Sequence, residues 1–395
     1  MYSEEQLVRI AKRENNTKRS YLVVNRLQGK HVPVRPKEAL AMFSELAGLV
    51  KEAYGGERLL LVGFAETATA IGAALAIELD TLYMQTTREE VPGAEYLYFS
   101  ESHSHATEQR LVKDDLDRVM KEIDRIVFVE DEVTTGNTIL KIADILEKQY
   151  PGRAFAVASL LNGMDEKALE VYRKRGIPVH YLVKTDHSRY GEIAGGYRGD
   201  GVYWRADTEG CKSAAELDGQ GRKAKETSLE SGGESFREIK AGGWMNARKC
   251  IKAGEYRKAC ENLWKTIEEM KIFVDKQRIL VLGTEEFMYP ALYVAEKIEG
   301  SGEKKGLAAE VKFHATTRSP IAVSSEEEYP LHKRYELRSL YEESRRTFLY
   351  DLENYDLVLI LTDAALENQV GKDTLTDALR ACGNEDILLI RWCGE

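Results

Sequence analysis

The stretch RIVFVEDEVTTGNTILKIADIL, Arg125 to Leu146, decides how this chain reads. Four apolar residues, Ile126 to Val129, run directly into Glu130, Asp131 and Glu132. A turn of Thr134, Thr135, Gly136, Asn137 and Thr138 follows, and then an amphipathic run with helical spacing. The pattern predicts a buried strand whose carboxyl end carries acids and feeds a helix through a glycine turn. A helix start has unpaired backbone N–H groups and the positive end of the helix dipole, so it favours a phosphate. Gly136 lets the backbone approach closely, and three threonine hydroxyls add donors. Carboxylates at a strand end suit the vicinal hydroxyls of a sugar. The two together describe a site for ribose 5-phosphate.

Working outward, the same strand-loop-helix texture recurs. LLLV (Leu59 to Val62) predicts a strand, followed by a glycine-led loop and an Ala- and Ile-rich helix. TLYMQTT, IVFVED, AFAVASLL and IPVHYLVK supply four more strands. Apolar strands alternating with helices predict an α/β fold, a parallel sheet in a Rossmann-like three-layer arrangement. Ligands of such sheets bind beyond the carboxyl ends of the strands, where Glu130 and Asp131 lie. Residues 207–243 are polar and glycine-rich and read as a linker or cover.

After that stretch the pattern restarts. ILVLGTEEFMYPALYVAEKI parallels the first strand and helix, VKFHATTRSP parallels LYMQTTREE, and LVLILTDA parallels IVFVEDE. Thr87 lies 44 positions before Asp131, and Thr317 lies 46 positions before Asp363. A divergent internal duplication accounts for three parallels in the same order. The expected division is residues 1–206 as a first α/β domain, 207–243 as linker, and 244–395 as a second α/β domain. The second half lacks the Thr-Thr-Gly turn.

Composition narrows the function classes. A chain of 395 residues is long for one core. Its five cysteines are odd in number and form no CxxC, which argues against a disulfide framework or a structural zinc site. A net charge of −10 counts against nucleic-acid binding. No apolar run reaches the ~18 residues of a membrane span. The charged N-terminus has no secretory pattern, which favours the cytoplasm.

IVFVEDEVTTGNT resembles the phosphoribosyl-diphosphate (PRPP) motif of type I phosphoribosyltransferases. Glu130 and Asp131 match its acidic pair, and Thr134, Thr135, Gly136, Asn137 and Thr138 match its phosphate loop. The family more often has Asp first in the pair, and an apolar residue where Glu132 stands. The resemblance implies PRPP and a nitrogenous base as small-molecule substrates, with Mg2+ held through PRPP near Glu130 and Asp131. It also implies a homodimer. The loop GFAETATAIG resembles the family's pyrophosphate loop, with Ala65, Glu66, Thr67 and Ala68 as binding candidates. Arg88, in TTREE, matches a cation that orotate enzymes place against the pyrophosphate; a solvated arginine is the plain alternative. His103 and His105 fall where related enzymes carry a mobile catalytic loop, although the Lys-rich pattern of orotate enzymes is missing. A His-x-His metal site or simple surface histidines are the other readings.

In the second half, ATTRSPIAV resembles the signature of the TRSP domain. That domain follows a distinct phosphoribosyltransferase family in bacterial tellurium-resistance and stress gene clusters. LVVNRLQGKHVPVRP, Leu22 to Pro36, also resembles that family. Thr317, Arg318 and Ser319 are candidates for an anion site, with an interdomain ion pair at Arg318, and Pro320 ending the strand, as the alternative. The implied activity is phosphoribosyl transfer in either direction for a nucleotide-like metabolite. A PRPP-binding regulator without turnover and a nucleoside- or nucleotide-cleaving hydrolase are the rivals. The acceptor base is left open; Tyr190, Tyr197, Tyr203 and Trp204 are either stacking residues for it or core.

Overall fold

The apolar runs of the first half form strands β1 (Leu59–Gly63), β2 (Leu82–Gln85), β3 (Arg125–Val133), β4 (Ala154–Asn162) and β5 (Val179–Lys184). These belong to a computed structural model that describes residues 2–14, 19–99, 109–206, 237–304, 310–365 and 367–394. The five strands pair in parallel in the order β2-β1-β3-β4-β5. All five residues of β1 are buried, the pattern of a strand covered on both faces. Helix α1 (Thr69–Leu79) returns the chain from β1 to β2, and α2 (Asn137–Gln149) from β3 to β4. Ile139, Ile142, Ala143 and Leu146 form the buried stripe of α2, at the spacing a one-faced helix requires.

Strand β3 is longer than the apolar run that announces it. It continues through all three acids to Val133, because Glu130, Glu132 and Val133 pair with Ser159, Leu161 and Asn162 of β4. The acids therefore stand on the sheet itself and not in a loop. Alternation along the strand sends Glu130 and Glu132 to one face and Asp131 to the other.

The second half builds a sheet from β6 (Arg237–Ala241), β7 (Arg278–Gly283), β8 (Glu310–Ala315), β9 (Leu357–Thr362) and β10 (Ile387–Trp392). It is parallel throughout, in the order β8-β7-β9-β10-β6. This is the strand order of the first sheet, with one change of connection. The fifth strand comes from after the fourth in the first sheet and from before the first in the second. Helices α4 (Tyr289–Lys304) and α5 (Gln369–Ala381) follow β7 and β9, and α3 (Glu166–Lys174) lies between β4 and β5. In chain order, an antiparallel strand pair falls between β2 and β3 in the first half and between β8 and β9 in the second. It is Tyr96–Phe99 with Gln109–Val112 in the first, and Lys333–Arg338 with Arg346–Tyr350 in the second.

Strand β6 lies inside the stretch whose polarity suggests a linker. Its REIKA sequence buries only Ala241 fully, which suits an edge position, and Glu238 is held by Lys372 at 2.6 Å and Arg391 at 3.0 Å. Residues 207–236 lie outside the described residues.

Contacts group Leu40–His187 with Met245–Glu261 in one unit, and Glu5–Ala39, Ser188–Trp244 and Asn262–Glu395 in the other. The reasons are local. Ile251 and Lys252 add an antiparallel edge to β2, and the Gln85 amide donates to Ala247 O at 2.9 Å. In the second unit, Val34 and Phe313 exchange backbone hydrogen bonds of 2.9 and 2.8 Å, and Tyr329 Oη accepts from the Lys12 amide at 2.8 Å. The aromatics considered for base stacking are used in packing within this unit. Tyr190 meets Tyr21 edge-on at 5.4 Å, Tyr197 meets Tyr329 at 4.6 Å, and Trp204 lies 5.9 Å from Tyr335. Tyr203 donates to Gly199 O at 3.0 Å.

Candidate active site

The carboxyl edge of the first sheet gathers most of the sequence candidates. At the end of β3, Glu130 and Asp131 are half-buried, and the chain turns through Thr134 and Thr135 into α2. Gly136 makes that turn with φ +71°, in the left-handed region that side chains resist. A Cβ there would lie 2.5 Å from Tyr172 Oη, so no other residue fits without displacing the Tyr172 ring. Tyr172 donates to Gly136 O at 2.7 Å, which fixes the turn from beneath. Burial, and then the charge of Glu130, push the Tyr172 phenol well above its ordinary range. It acts as a neutral donor.

No side chain caps α2. The Leu140 amide donates to Gly136 O at 3.0 Å, so the amides before it have no acceptor within the helix. The Asn137 amide makes only a long 3.4 Å contact with Thr135 Oγ1. A helix start without a side-chain cap, with Thr134, Thr135 and Thr138 around it, is the kind of element that suits a phosphate.

The second element is the loop Phe64 to Ala68 between β1 and α1. The Phe64 amide donates to Val129 O at 3.0 Å, which ties the loop to the acidic strand. The Ala65 amide donates to Thr86 Oγ1 at 2.8 Å, and Gln109 Nε2 donates to Ala65 O at 2.8 Å. Thr86 Oγ1 in turn donates to Gln109 Oε1. Thr69 Oγ1 reaches Glu66 O at 3.1 Å, and Glu66 itself is buried. The Ala65–Glu66 peptide bond is cis. Ala65, Glu66, Thr67 and Ala68 thus sit in a loop whose shape is fixed by Thr86 and Gln109. Arg88 follows two residues after Thr86, and its carbonyl accepts from Arg110 at 2.9 Å. Its half-buried side chain starts at the same edge of the sheet.

Glu132, which the resemblance leaves unassigned, lies 3.5 Å from His187 Nε2, and His187 lies 2.8 Å from Thr185 Oγ1. His103 and His105 lie outside the described residues. Four residues at this edge were not singled out from sequence: Tyr172, Thr86, Gln109 and His187. Three of them come from distant segments and carry no local signal. Thr86 alone had one, since it stands one position before the Thr87-Arg88 pair that repeats as Thr317-Arg318.

In the second sheet, Thr317, Arg318 and Ser319 follow β8 as expected. Arg318 Nε lies 2.5 Å from Glu285 Oε2, and its Nη2 lies 3.7 Å from Glu286.

An open parallel sheet with acids and an uncapped helix start at its carboxyl edge places the first unit in the class of open α/β domains whose ligands bind at that edge. Residues 7–186 match the family model described as phosphoribosyl transferase. Residues 246–379 match the TRSP domain that lies C-terminal to it. The chain is a fusion of a phosphoribosyl transferase domain with a C-terminal TRSP domain. Similar solved structures include adenine phosphoribosyltransferase from Rhodothermus marinus, at 18% identity over 46% of this chain and 96% of that one, TM-score 0.34. Adenine phosphoribosyltransferase from Trypanosoma brucei has 14% identity over 46% and 77%, TM-score 0.33. Orotate phosphoribosyltransferase from Aeropyrum pernix has 18% identity over 45% and 85%, TM-score 0.29. No match is found among curated proteins.

Proposed function

We propose that the first unit transfers the 5-phosphoribosyl group between PRPP and a nitrogenous base. The observation that carries this reading is the uncapped start of α2, set by Gly136 directly after the acids of β3. The amides and threonines of Thr134–Thr138 hold the 5′-phosphate. Glu130 and Asp131 accept hydrogen bonds from the ribose hydroxyls, and the Ala65–Ala68 loop holds the diphosphate. Arg88 offsets charge growing on the leaving group. His103 and His105 are proposed to screen the reacting centre from water.

In the forward direction the bond from the anomeric carbon to the diphosphate breaks, and its electron pair leaves with pyrophosphate. The base nitrogen supplies the pair for the new C–N bond and loses its proton to solvent. Run backwards, the same residues cleave a nucleotide with pyrophosphate. Among the described residues no group of three or more His, Cys, Asp or Glu is placed to hold a metal alone. Two half-buried carboxylates beside a phosphate cradle do fit magnesium, which binds through substrate phosphates and one or two carboxylates. Bound there, it supplies charge neutralisation on the diphosphate.

We propose that the protein serves nucleotide-like metabolism of the kind that accompanies tellurium resistance, in the cytoplasm and as a homodimer. No helix among the described residues is long and apolar enough to cross a membrane. The test is incubation with PRPP, Mg2+ and a panel of bases. Pyrophosphate release that requires a base supports transfer. Release with water alone marks a hydrolase, and binding without turnover marks a regulator.

A further inference from the structure

The two sheets agree down to single hydrogen bonds at their carboxyl edges. Thr86 N donates to Gly63 O at 2.9 Å, and Thr316 N donates to Gly283 O at 3.1 Å. Ala65 N donates to Thr86 Oγ1 at 2.8 Å, and Glu285 N donates to Thr316 Oγ1 at 2.9 Å. Thr87 bridges the hairpin strand at Arg110, and Thr317 bridges its counterpart at Phe348. With Gly63 set on Gly283, the strand registers place Glu285 at Ala65, Glu286 at Glu66, Arg318 at Arg88 and Asp363 at Asp131.

Three of these places carry the same residue type in both units, and at the fourth the second unit adds a side chain that the first lacks. Glu285 stands where Ala65 has only a methyl group. Its buried carboxylate meets Arg318 at 2.5 Å, Arg345 at 3.0 Å and the hydroxyl of Ser339. Ser339 and Arg345 come from the tip of the hairpin, so the carboxylate holds that tip down. Glu285 adopts φ +49°, an uncommon conformation for a residue with a side chain. Buried Lys30 supports the loop by donating to Glu285 O at 3.0 Å and Thr316 O at 2.9 Å. Asp363 accepts from the Tyr341 hydroxyl at 2.7 Å, and that hydroxyl also lies 2.9 Å from Thr284 Oγ1. The start of α5 is capped by Asn368, whose Oδ1 accepts from the Gly371 amide at 3.1 Å, whereas α2 has no side-chain cap.

We propose that the second unit is a self-liganded copy of the first, in which the Glu285 carboxylate fills a binding site for a pyrophosphate-class anion. The Tyr341 hydroxyl answers Asp363 as a ribose hydroxyl answers Asp131, and the Asn368 side chain answers the helix amides as a phosphate does in α2. The comparison rests on the proposed function of the first unit. The site in the second unit stands on its own geometry: two guanidinium groups and a hydroxyl meet at the Glu285 carboxylate, with Glu286 3.7 Å from Arg318 and Glu342 2.7 Å from Arg345 at its rim.

The consequence is that removing the carboxylate uncovers an anion site. Full-length protein, Glu285→Ala and Glu285→Gln are titrated with inorganic pyrophosphate by calorimetry. Wild type is expected to bind one pyrophosphate per chain, in the first unit, and Glu285→Ala two. Adding Arg318→Met to Glu285→Ala returns the count to one. Glu285→Gln keeps the side-chain volume and an acceptor for Ser339. Its melting temperature is expected to rise with pyrophosphate by more than that of wild type, as ligand binding to the folded form requires. If Glu285→Ala folds only with pyrophosphate present, that dependence supports the proposal too. The same count in wild type and Glu285→Ala, with no added thermal response in Glu285→Gln, overturns it. A wild-type count of zero that becomes one in Glu285→Ala overturns the reading of the first unit and leaves this one standing.

Discussion

The Tyr172 hydroxyl donates a 2.7 Å hydrogen bond to the carbonyl of Gly136, the residue that turns β3 into α2. A Cβ on Gly136 would meet that same oxygen at 2.5 Å. Gly136→Ala therefore carries two costs, about 1–2 kcal/mol for the left-handed backbone and about 1 kcal/mol for the lost hydrogen bond. Tyr172→Phe carries only the second. Urea unfolding should show Gly136→Ala as the less stable of the two, and PRPP titration should show it as the weaker binder. Equal effects would mean that the glycine's conformation does not shape the phosphate turn.

Much of this site is readable from the chain because its chemistry is local. The acids, the glycine turn and the helix start fall within Glu130 to Thr138, so one stretch of sequence reports them together. The parallel sheet is readable for a similar reason, since strands buried on both faces are continuous apolar runs. What holds the site is not local. Thr86, Gln109 and Tyr172 meet residues 21, 44 and 36 positions away, and no periodicity connects them. Strand β6 was hidden differently, because an edge strand with charged alternate positions has the composition of a linker. The likeness of the two halves was visible in their motifs. The same parallel sets Glu285 against Ala65, and the structure adds that its carboxylate meets Arg318, Arg345 and Ser339.

Thr86→Val should loosen the Ala65–Ala68 loop without touching substrate. Thr86 Oγ1 accepts from the Ala65 amide at 2.8 Å and donates to Gln109. Valine keeps the shape and leaves a buried amide and a buried carbonyl oxygen unpaired, at about 1–3 kcal/mol each. The expected result is lower stability, with pyrophosphate affinity reduced more than affinity for ribose 5-phosphate. If both affinities fall by the same factor, the loop does not act on the diphosphate alone.

Asp131→Asn separates the acids of β3 by role. A hydrogen bond to a charged group contributes about 1.5–3 kcal/mol, so PRPP affinity should drop at least about tenfold. Glu132→Gln should leave that affinity unchanged, since Glu132 faces His187 at 3.5 Å. Calorimetric titration of the two variants checks both statements. Unchanged binding in Asp131→Asn would remove this acid from the ribose site.

Two buried histidines of the second unit set its acid stability. Burial lowers His31 from 6.5 to about 3, with the charge of Lys30 adding to the effect. Burial lowers His314 to about 4, against carbonyls of Gly29 and Tyr350 at 3.1 and 3.2 Å that favour its charged form. Both are neutral when folded at pH 7, and the unfolded chain takes up their protons near 6.5. Stability is therefore full above that value and falls as pH drops toward 4, because the unfolded state binds more protons there. The limiting slope is about 1.4 kcal/mol per pH unit for each histidine. Carboxylates titrate mainly below this range, so the interval from about pH 6.5 to 5 reports on histidines, His180 of the first unit included, which burial also lowers. His31→Leu removes one titrating group, and His31 Nε2 is buried with no hydrogen-bond partner to lose. Urea midpoints across that interval should fall less steeply in the variant than in wild type. Parallel slopes would mean that His31 does not remain neutral in the folded protein.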